Sequence, residues 1–431
     1  MEVIDVGSAD AQRLGMKPIT FVRQVLALCI HPELLNDETF PVDVQQRARE
    51  LLEHCAGGSV GSYAESAGIA HVQQSVAKFI TRRDKGLTSD PSHIFMSSGS
   101  QRALRCVLKF LLQGSDHAPI GVMTPNPHPH TLLPLLELLG IVSLPYQLQQ
   151  GAGWALEKAE LKRALQANRG NCNPRAIYIS NPGDPTGHVQ DRESIQDVIQ
   201  FAAEENLLLL VNEVFQDSVF GDGCEFLSYK KVLFEMGSAY SERVQLASFH
   251  SLSNGIMGEC GFRAGYVELV NFDALLPYVE TELCGSVCAP VIGQIALDVM
   301  VDPPQPGEPS FNEYCEQVTV NKDTLKRNVL RGRSFLNSLP GFSCPTVTGG
   351  VYLYTHLTLP QMESDNVELL YSSRLLVEEG VCVGVEKCVC TSVPGENSCH
   401  IRICVLMPSP ALEEVLSRLE TFHLRFLNQR S

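Results

Sequence analysis

Short apolar runs alternate with helix-period segments through the first half of this chain, and no other feature restricts its fold as much. HIFMS (93–97) precedes SQRALRCVLKFLL, IGVMT (120–124) precedes HTLLPLLELLG, and AIYIS (176–180) precedes RESIQDVIQFAAEEN, before LLLLV (207–211). Runs this short and apolar suit strands buried on both faces, and parallel strands need helical crossovers between them. Two more candidate strands follow at 245–249 and 264–270. The expectation is an α/β fold with a large, mostly parallel sheet and helices on both of its faces. In such sheets the pocket lies in loops at the strand C-termini, where helix N-termini also point their amides.

The second half reads differently. VDPPQPGEPS (301–310) ends one pattern, and a long helical stretch runs from about Glu313 to Ser338. GGVYLYTHL, VCVGV and CHIRICVL then read as strands, with a final helix after Pro408. This predicts a smaller α+β domain, so that a large domain spans 40–305 and a small one 306–431. A chain of 431 residues is too long for one ordinary core, which agrees with two units.

Charge and composition exclude several classes of function. A formal charge of -16 repels nucleic acid and anionic membrane surfaces. No apolar run approaches the roughly 20 residues that a membrane helix needs, and MEVIDVGSAD has neither the basic start nor the apolar stretch of a secretory signal. The expected location is cytoplasmic. Fifteen cysteines, odd in number and mostly within apolar runs, suit reduced thiols better than a secreted disulfide framework. Cys388 and Cys390 would share one strand face, but no further ligands stand at metal-binding spacing, so no metal site is expected.

Three loops carry the polar groups. SNPGDPTG (180–187) follows one predicted strand, VNEVFQD (211–217) ends the most apolar one, and ASFHSLSNGIMGECGFRAGY (247–266) spans the next two. In that order and at that spacing they resemble the NPGNPTG, DEVYQD and FHSTSKGYMGECGYRGGY of the alanine aminotransferases, fold-type I enzymes that use pyridoxal phosphate. GMKPITFVRQVLALC (15–29), GSYAESAG (61–68), ITRRD (80–84) and KKVLFEMG (230–237) extend the resemblance to nearly the whole chain. It implies the fold-type I architecture, a homodimer, and residues 1–39 packed on the small domain. Because so little precedes Gly15, the long arm that family members wrap over the dimer is expected to be absent, together with any targeting peptide.

The resemblance also shows what has been lost. The family's cofactor aldehyde forms an imine with a lysine that then shuttles a proton; the matching position is Asn254, and no lysine lies between Lys231 and Lys322. Asparagine is neither an amine nucleophile nor a useful base. The aspartate that keeps the pyridine nitrogen protonated is matched by Asn212, which has no charge to hold that proton. The tyrosine and asparagine that donate to the phenolic oxygen are matched by Phe215 and Asp184. Phe215 has no donor, and an ionised Asp184 repels a phenolate. The stacking aromatic is replaced within PNPHPH (125–130), with His128 the nearest match in an ungapped comparison.

Other groups persist by the same resemblance. Arg263 and Ser251 match groups at the cofactor phosphate, and Tyr63 matches a tyrosine that reaches it from the second subunit. Ser100, in SSGSQRAL (97–104), opens a helix whose amides could hold an anion, while Gln101 replaces a hydroxyl. Arg402 matches the arginine that holds the substrate α-carboxylate. For each arginine the alternative is an ordinary ion pair with a nearby carboxylate. The glycine-rich stretch before Arg402 is replaced by VGVEKCVCTSVPGENSC (383–399), which predicts a remodelled substrate wall.

The leading expectation is therefore an alanine aminotransferase-like pseudoenzyme with no covalent cofactor and a residual pocket for a small carboxylate or phosphate. Two other readings stay open: a transaminase or side-reaction enzyme that uses non-covalent pyridoxal phosphate, with Asp184 or His128 as base, and a non-catalytic dimer partner of an active aminotransferase.

Overall fold

The computed structural model describes residues 2–113, 118–272, 276–284, 287–360, 366–387 and 396–428. The chain opens with the two-residue strand β1 (Ile4–Asp5). The large sheet is built from β2 (Ile94–Ser97), β3 (Ile120–Asn126), β4 (Val142–Gln147), β5 (Asn173–Ser180), β6 (Leu208–Asn212), β7 (Leu246–Ser251) and β8 (Gly265–Val270). Its spatial order is β2-β8-β7-β6-β5-β3-β4. Only β8 runs against its neighbours; the pairs from β7 across to β4 are parallel.

The period-2 rule explains why β6 is wholly apolar. Leu208 and Leu210 enter one core with Val107, Leu108 and Leu136, whereas Leu209 and Val211 enter the opposite one with Ile195, Val198 and Val232. Each layer of helices is set by local signals. The helix Arg192–Glu205 starts where Asp191 accepts a hydrogen bond from Ser194 N, and it stops at Asn206 in the left-handed conformation. Sequence patterning missed β4, an edge strand carrying Pro145, because proline breaks the strand pattern and is tolerated only where one side is unpaired.

The small domain holds β9 (Phe342–Ser343), β10 (Tyr352–Pro360), β11 (Val381–Cys382), β12 (Gly384–Lys387) and β13 (Glu396–Cys404). β12-β13-β10-β9 form an antiparallel sheet, covered by the helices Phe311–Leu336 and Ser409–Asn428 through Leu325, Val329, Leu416 and Phe422. β1 pairs in parallel with β11, and Val6, Ala11 and Leu14 join this core.

The expectation for residues 1–39 needs correcting here. The helix Thr20–Ile30 belongs to the large-domain side, where Phe21, Val22, Val25 and Leu28 pack with Val44, Ile94, Tyr266 and Ile295. Its apolar positions face that core, whereas only the first sixteen residues follow the small one. Twelve of the fifteen cysteines are free thiols, and Cys388 and Cys390 lie outside the described residues. No helix among the described residues is long and apolar enough to cross a membrane.

Candidate functional site

Strand register brings the site together. Ser180 at the end of β5 lies beside Asn212 at the end of β6, and Asn212 lies beside Phe249 of β7, so the following loops emerge side by side. Those loops deliver Asp184, Phe215 and Asn254. β8 returns antiparallel with Gly265 opposite both Ser251 and Ser97, which carries Arg263 to the turn that starts the helix Ser100–Leu111. The result is a cavity of about 310 Å³.

Eight predicted positions line it: Ser100, Gln101, Asp184, Asn212, Phe215, Ser251, Asn254 and Arg263. Three others do not. Tyr63 is 79% exposed and is not among the residues that line this chain's own cavity. The His128 ring sits outside, with Nδ1 3.1 Å from the Pro129 carbonyl, and the histidine that lines the cavity is His130. Arg402 lies behind Tyr352, its guanidinium carbon 5.2 Å from that ring's centre. Asp10, Ser253, Cys260 and Tyr352 line the cavity without having been singled out in the sequence.

One wall suits an anion. Arg263 adopts a left-handed backbone (φ 55°) and donates from Nη2 to the Ser98 carbonyl at 2.9 Å. From Nη1 it reaches Ser253 Oγ and the Cys260 carbonyl, both at 3.4 Å. No carboxylate pairs with it among the described residues, so the ion-pair alternative does not describe this arginine. The helix beside it has Gly99 at its N-cap and no side-chain cap, which leaves its first amides open toward the cavity. Ser251 is 2% exposed; its Oγ accepts from Ser253 N at 3.0 Å, and its own proton has no acceptor among the described residues.

The other wall is acidic. Asp184 accepts no hydrogen bond among the described residues; burial pushes its carboxyl up to about 6, opposed by Arg402 and His128 and reinforced by Glu386. Burial also lowers the His130 imidazole, with Arg402 and His128 adding to the effect. Arg402 gives Nε and Nη2 to the Gly7 carbonyl at 3.2 and 2.9 Å, and its Nη1 is 3.8 Å from Glu386 Oε1. Glu386 also accepts from the Tyr354 hydroxyl at 2.8 Å. The ion-pair alternative thus holds for Arg402, with a partner from the remodelled wall.

The Aminotransferase class I and II family profile matches residues 25–419. The chain belongs to that family. It is 43% identical to alanine aminotransferase 2 of Xenopus laevis over 100% of this chain and 81% of that protein. Human alanine aminotransferase 1 is 42% identical over 99% of this chain and 87% of its own length. Among solved structures, an alanine aminotransferase from Pyrococcus furiosus superposes with a TM-score of 0.75 at 17% identity, covering 100% of this chain and 93% of that one. That last likeness bears on the fold, which is the fold-type I aminotransferase architecture.

Pyridoxal phosphate, the cofactor that membership implies, fits this cavity at one end only. The uncharged helix start, the spare Ser251 proton and the unpaired Arg263 suit its phosphate. Toward its ring the cavity offers the Asn254 carboxamide, which is no amine, and the Asn212 Oδ1 is turned back to accept from Val214 N at 3.3 Å. Phe215 packs edge-on to Tyr352, with ring centres 6.3 Å apart, and offers no donor. No lysine among the described residues lines the cavity. Lys230, the neighbour in sequence of Lys231, is 3% exposed and held by Glu268 at 2.6 Å and the Thr88 carbonyl at 3.1 Å.

Proposed function

We propose that this aminotransferase-family protein does not transaminate and that its cavity binds a small anion. The observation that carries this reading is that Asn254, which by the sequence resemblance matches the family's lysine, lines the cavity while no lysine among the described residues does. An amine nucleophile that is also the proton shuttle has no substitute in a carboxamide. Asn212, Phe215 and Asp184 point the same way, since each withholds a proton, a donor or a neutral contact from the cofactor ring. Arg402 supports it from the substrate side. Its Nε and Nη2 are committed to Gly7 and its Nη1 faces Glu386, and the Asp184 and Glu386 carboxylates oppose entry of a third.

The same reading places the protein in the cytoplasm as a homodimer, in which the exposed Tyr63 of each copy faces the other's cavity. Titrating pyridoxal phosphate into the purified protein, beside an Asn254→Lys, Asn212→Asp double variant, tests it by visible absorbance. The expected result is no imine band in the natural protein and a band in the variant. A band in the natural protein that alanine bleaches, with steady alanine and 2-oxoglutarate exchange, overturns the proposal in favour of a working transaminase.

A further inference from the structure

We propose a second ligand site, at the end of the large sheet opposite the cavity described above, that takes a small dicarboxylate between Arg175 and Arg243. The two arginines line a separate cavity of about 250 Å³ where β5, β6 and β7 begin. Leu208, at the start of β6, borders this cavity, and Asn212, at its end, borders the other. The length of β6 sets them about 13 Å apart. The two cavities share no lining residue, so the second site does not depend on the first.

Charge supplies the first argument. Arg175 is half-buried and Arg243 exposed, and neither has an ion pair or a side-chain hydrogen bond among the described residues. Arg169, just upstream, is by contrast held by Glu205 at 3.4 Å. Glu242 lines the cavity too, but it pairs with neither arginine, so two positive charges face one negative charge in a chain of formal charge -16. The helix Arg192–Glu205 ends here, and a helix C-terminus disfavours an anion. Its Ala202 carbonyl is already taken, however, by Asn206 N and by Leu207 N at 2.9 Å.

Spacing supplies the second. β6 lies between β5 and β7, so the starts of the two outer strands are about 10 Å apart. A single carboxylate serves one guanidinium at a time, whereas a short chain with a carboxylate at each end gives both a bidentate partner. Leu111 and Leu207 line the cavity between them and suit the methylenes of such a chain. The turn that carries Arg243 is fixed in advance. Asn271 Nδ2 donates to the Ser241 and Val244 carbonyls at 2.8 and 2.7 Å, and Gln245 Nε2 donates to the Asn271 carbonyl at 3.3 Å. Little ordering of the main chain is therefore needed on binding.

Titration of succinate, acetate and inorganic phosphate into the full chain tests this, followed by calorimetry and by the melting temperature at constant ionic strength. Succinate should bind about tenfold or more tighter than acetate. The Arg175→Gln, Arg243→Gln double variant and the single Arg243→Gln, in its exposed turn, should both weaken succinate, the double by about tenfold or more, with unliganded melts like that of the natural protein. Arg263→Gln should leave succinate affinity unchanged, and the double variant should leave phosphate affinity unchanged. Succinate binding that is lost in Arg263→Gln and kept in the double variant overturns the proposal by moving the ligand to the first cavity. Equal affinity for acetate and succinate overturns the two-point contact. No response to succinate by either measurement removes the second site, while phosphate binding reports separately on the first.

Discussion

Arg402 donates two hydrogen bonds to a single acceptor, the main-chain carbonyl of Gly7, from Nε at 3.2 Å and from Nη2 at 2.9 Å. The contact ends a run of backbone pairing that docks the N-terminus on the small domain. Ile4 lies beside Val381, Val6 N donates to Cys382 O at 2.8 Å, and Cys404 N donates to Val6 O at 2.7 Å. The guanidinium thus braces the N-terminal segment against β13.

Removing that brace should cost stability. Arg402→Leu strands the Gly7 carbonyl and leaves Glu386 and Asp184 unneutralised, so a loss of about 2–4 kcal/mol is expected from urea unfolding. Adding Glu386→Gln to that variant should recover part of the loss, because the orphaned charge is then gone. Unchanged stability in the single variant would show that the guanidinium is held for something other than the fold.

Arg263 predicts the opposite pattern. It is exposed and free of ion pairs among the described residues and gives up chiefly its bond to the Ser98 carbonyl, so Arg263→Gln should cost only about 1 kcal/mol. Phosphate binding should weaken by about 10- to 100-fold, the loss of a charge-assisted pair of hydrogen bonds. Calorimetric titration of phosphate into both proteins gives the ratio, and equal affinities would move the anion site elsewhere.

Much of this was legible in the sequence because the strand ends are local signals. Asn212 closes an apolar strand, and Asp184, Phe215 and Asn254 sit in loops that follow such strands, so parallel order alone brings them together. What the sequence hid comes from elsewhere in the chain. Gly7 and Asp10 reach the site from a segment with no motif, and Glu386 belongs to the remodelled stretch before Arg402. The antiparallel direction of β8 leaves no mark on its residues, although it is what carries Arg263 to the helix start. The choice between His128 and His130 turned on a two-residue shift in a proline-rich loop, which pattern matching cannot resolve.

Gly265 shows how tightly the anion wall is assembled. A Cβ there would lie 2.5 Å from the His250 carbonyl oxygen and 3.1 Å from Gly99 Cα, both backbone atoms that cannot swing aside. Gly265→Ala should therefore destabilise the protein by about 1–3 kcal/mol, as overpacking does, and push the Gly99–Ser100 turn away from Arg263. Thermal unfolding together with phosphate titration checks it, with both readouts expected to fall. A variant that keeps phosphate affinity would mean that the turn tolerates displacement.

His250 sets the acid limit of the fold. It is 2% exposed, its ring 5.5 Å from that of Tyr266 and 6.4 Å from that of Phe79. Burial pushes its imidazole down to about 4; Asp217 opposes the shift and Arg83 adds to it. Between the ordinary histidine value and about 4 the unfolded chain binds a proton that the folded chain refuses, so this contribution to stability is complete above pH 6.5 and is lost as the pH falls toward 4. From pH 7 to 5 the loss should be about 2 kcal/mol. His250→Phe removes the titrating group and keeps the ring, so its stability should fall by about that much less over the same interval, whatever offset the larger ring introduces at pH 7. Urea unfolding of both proteins at the two pH values decides the matter, and parallel losses would place the acid sensitivity in another buried group.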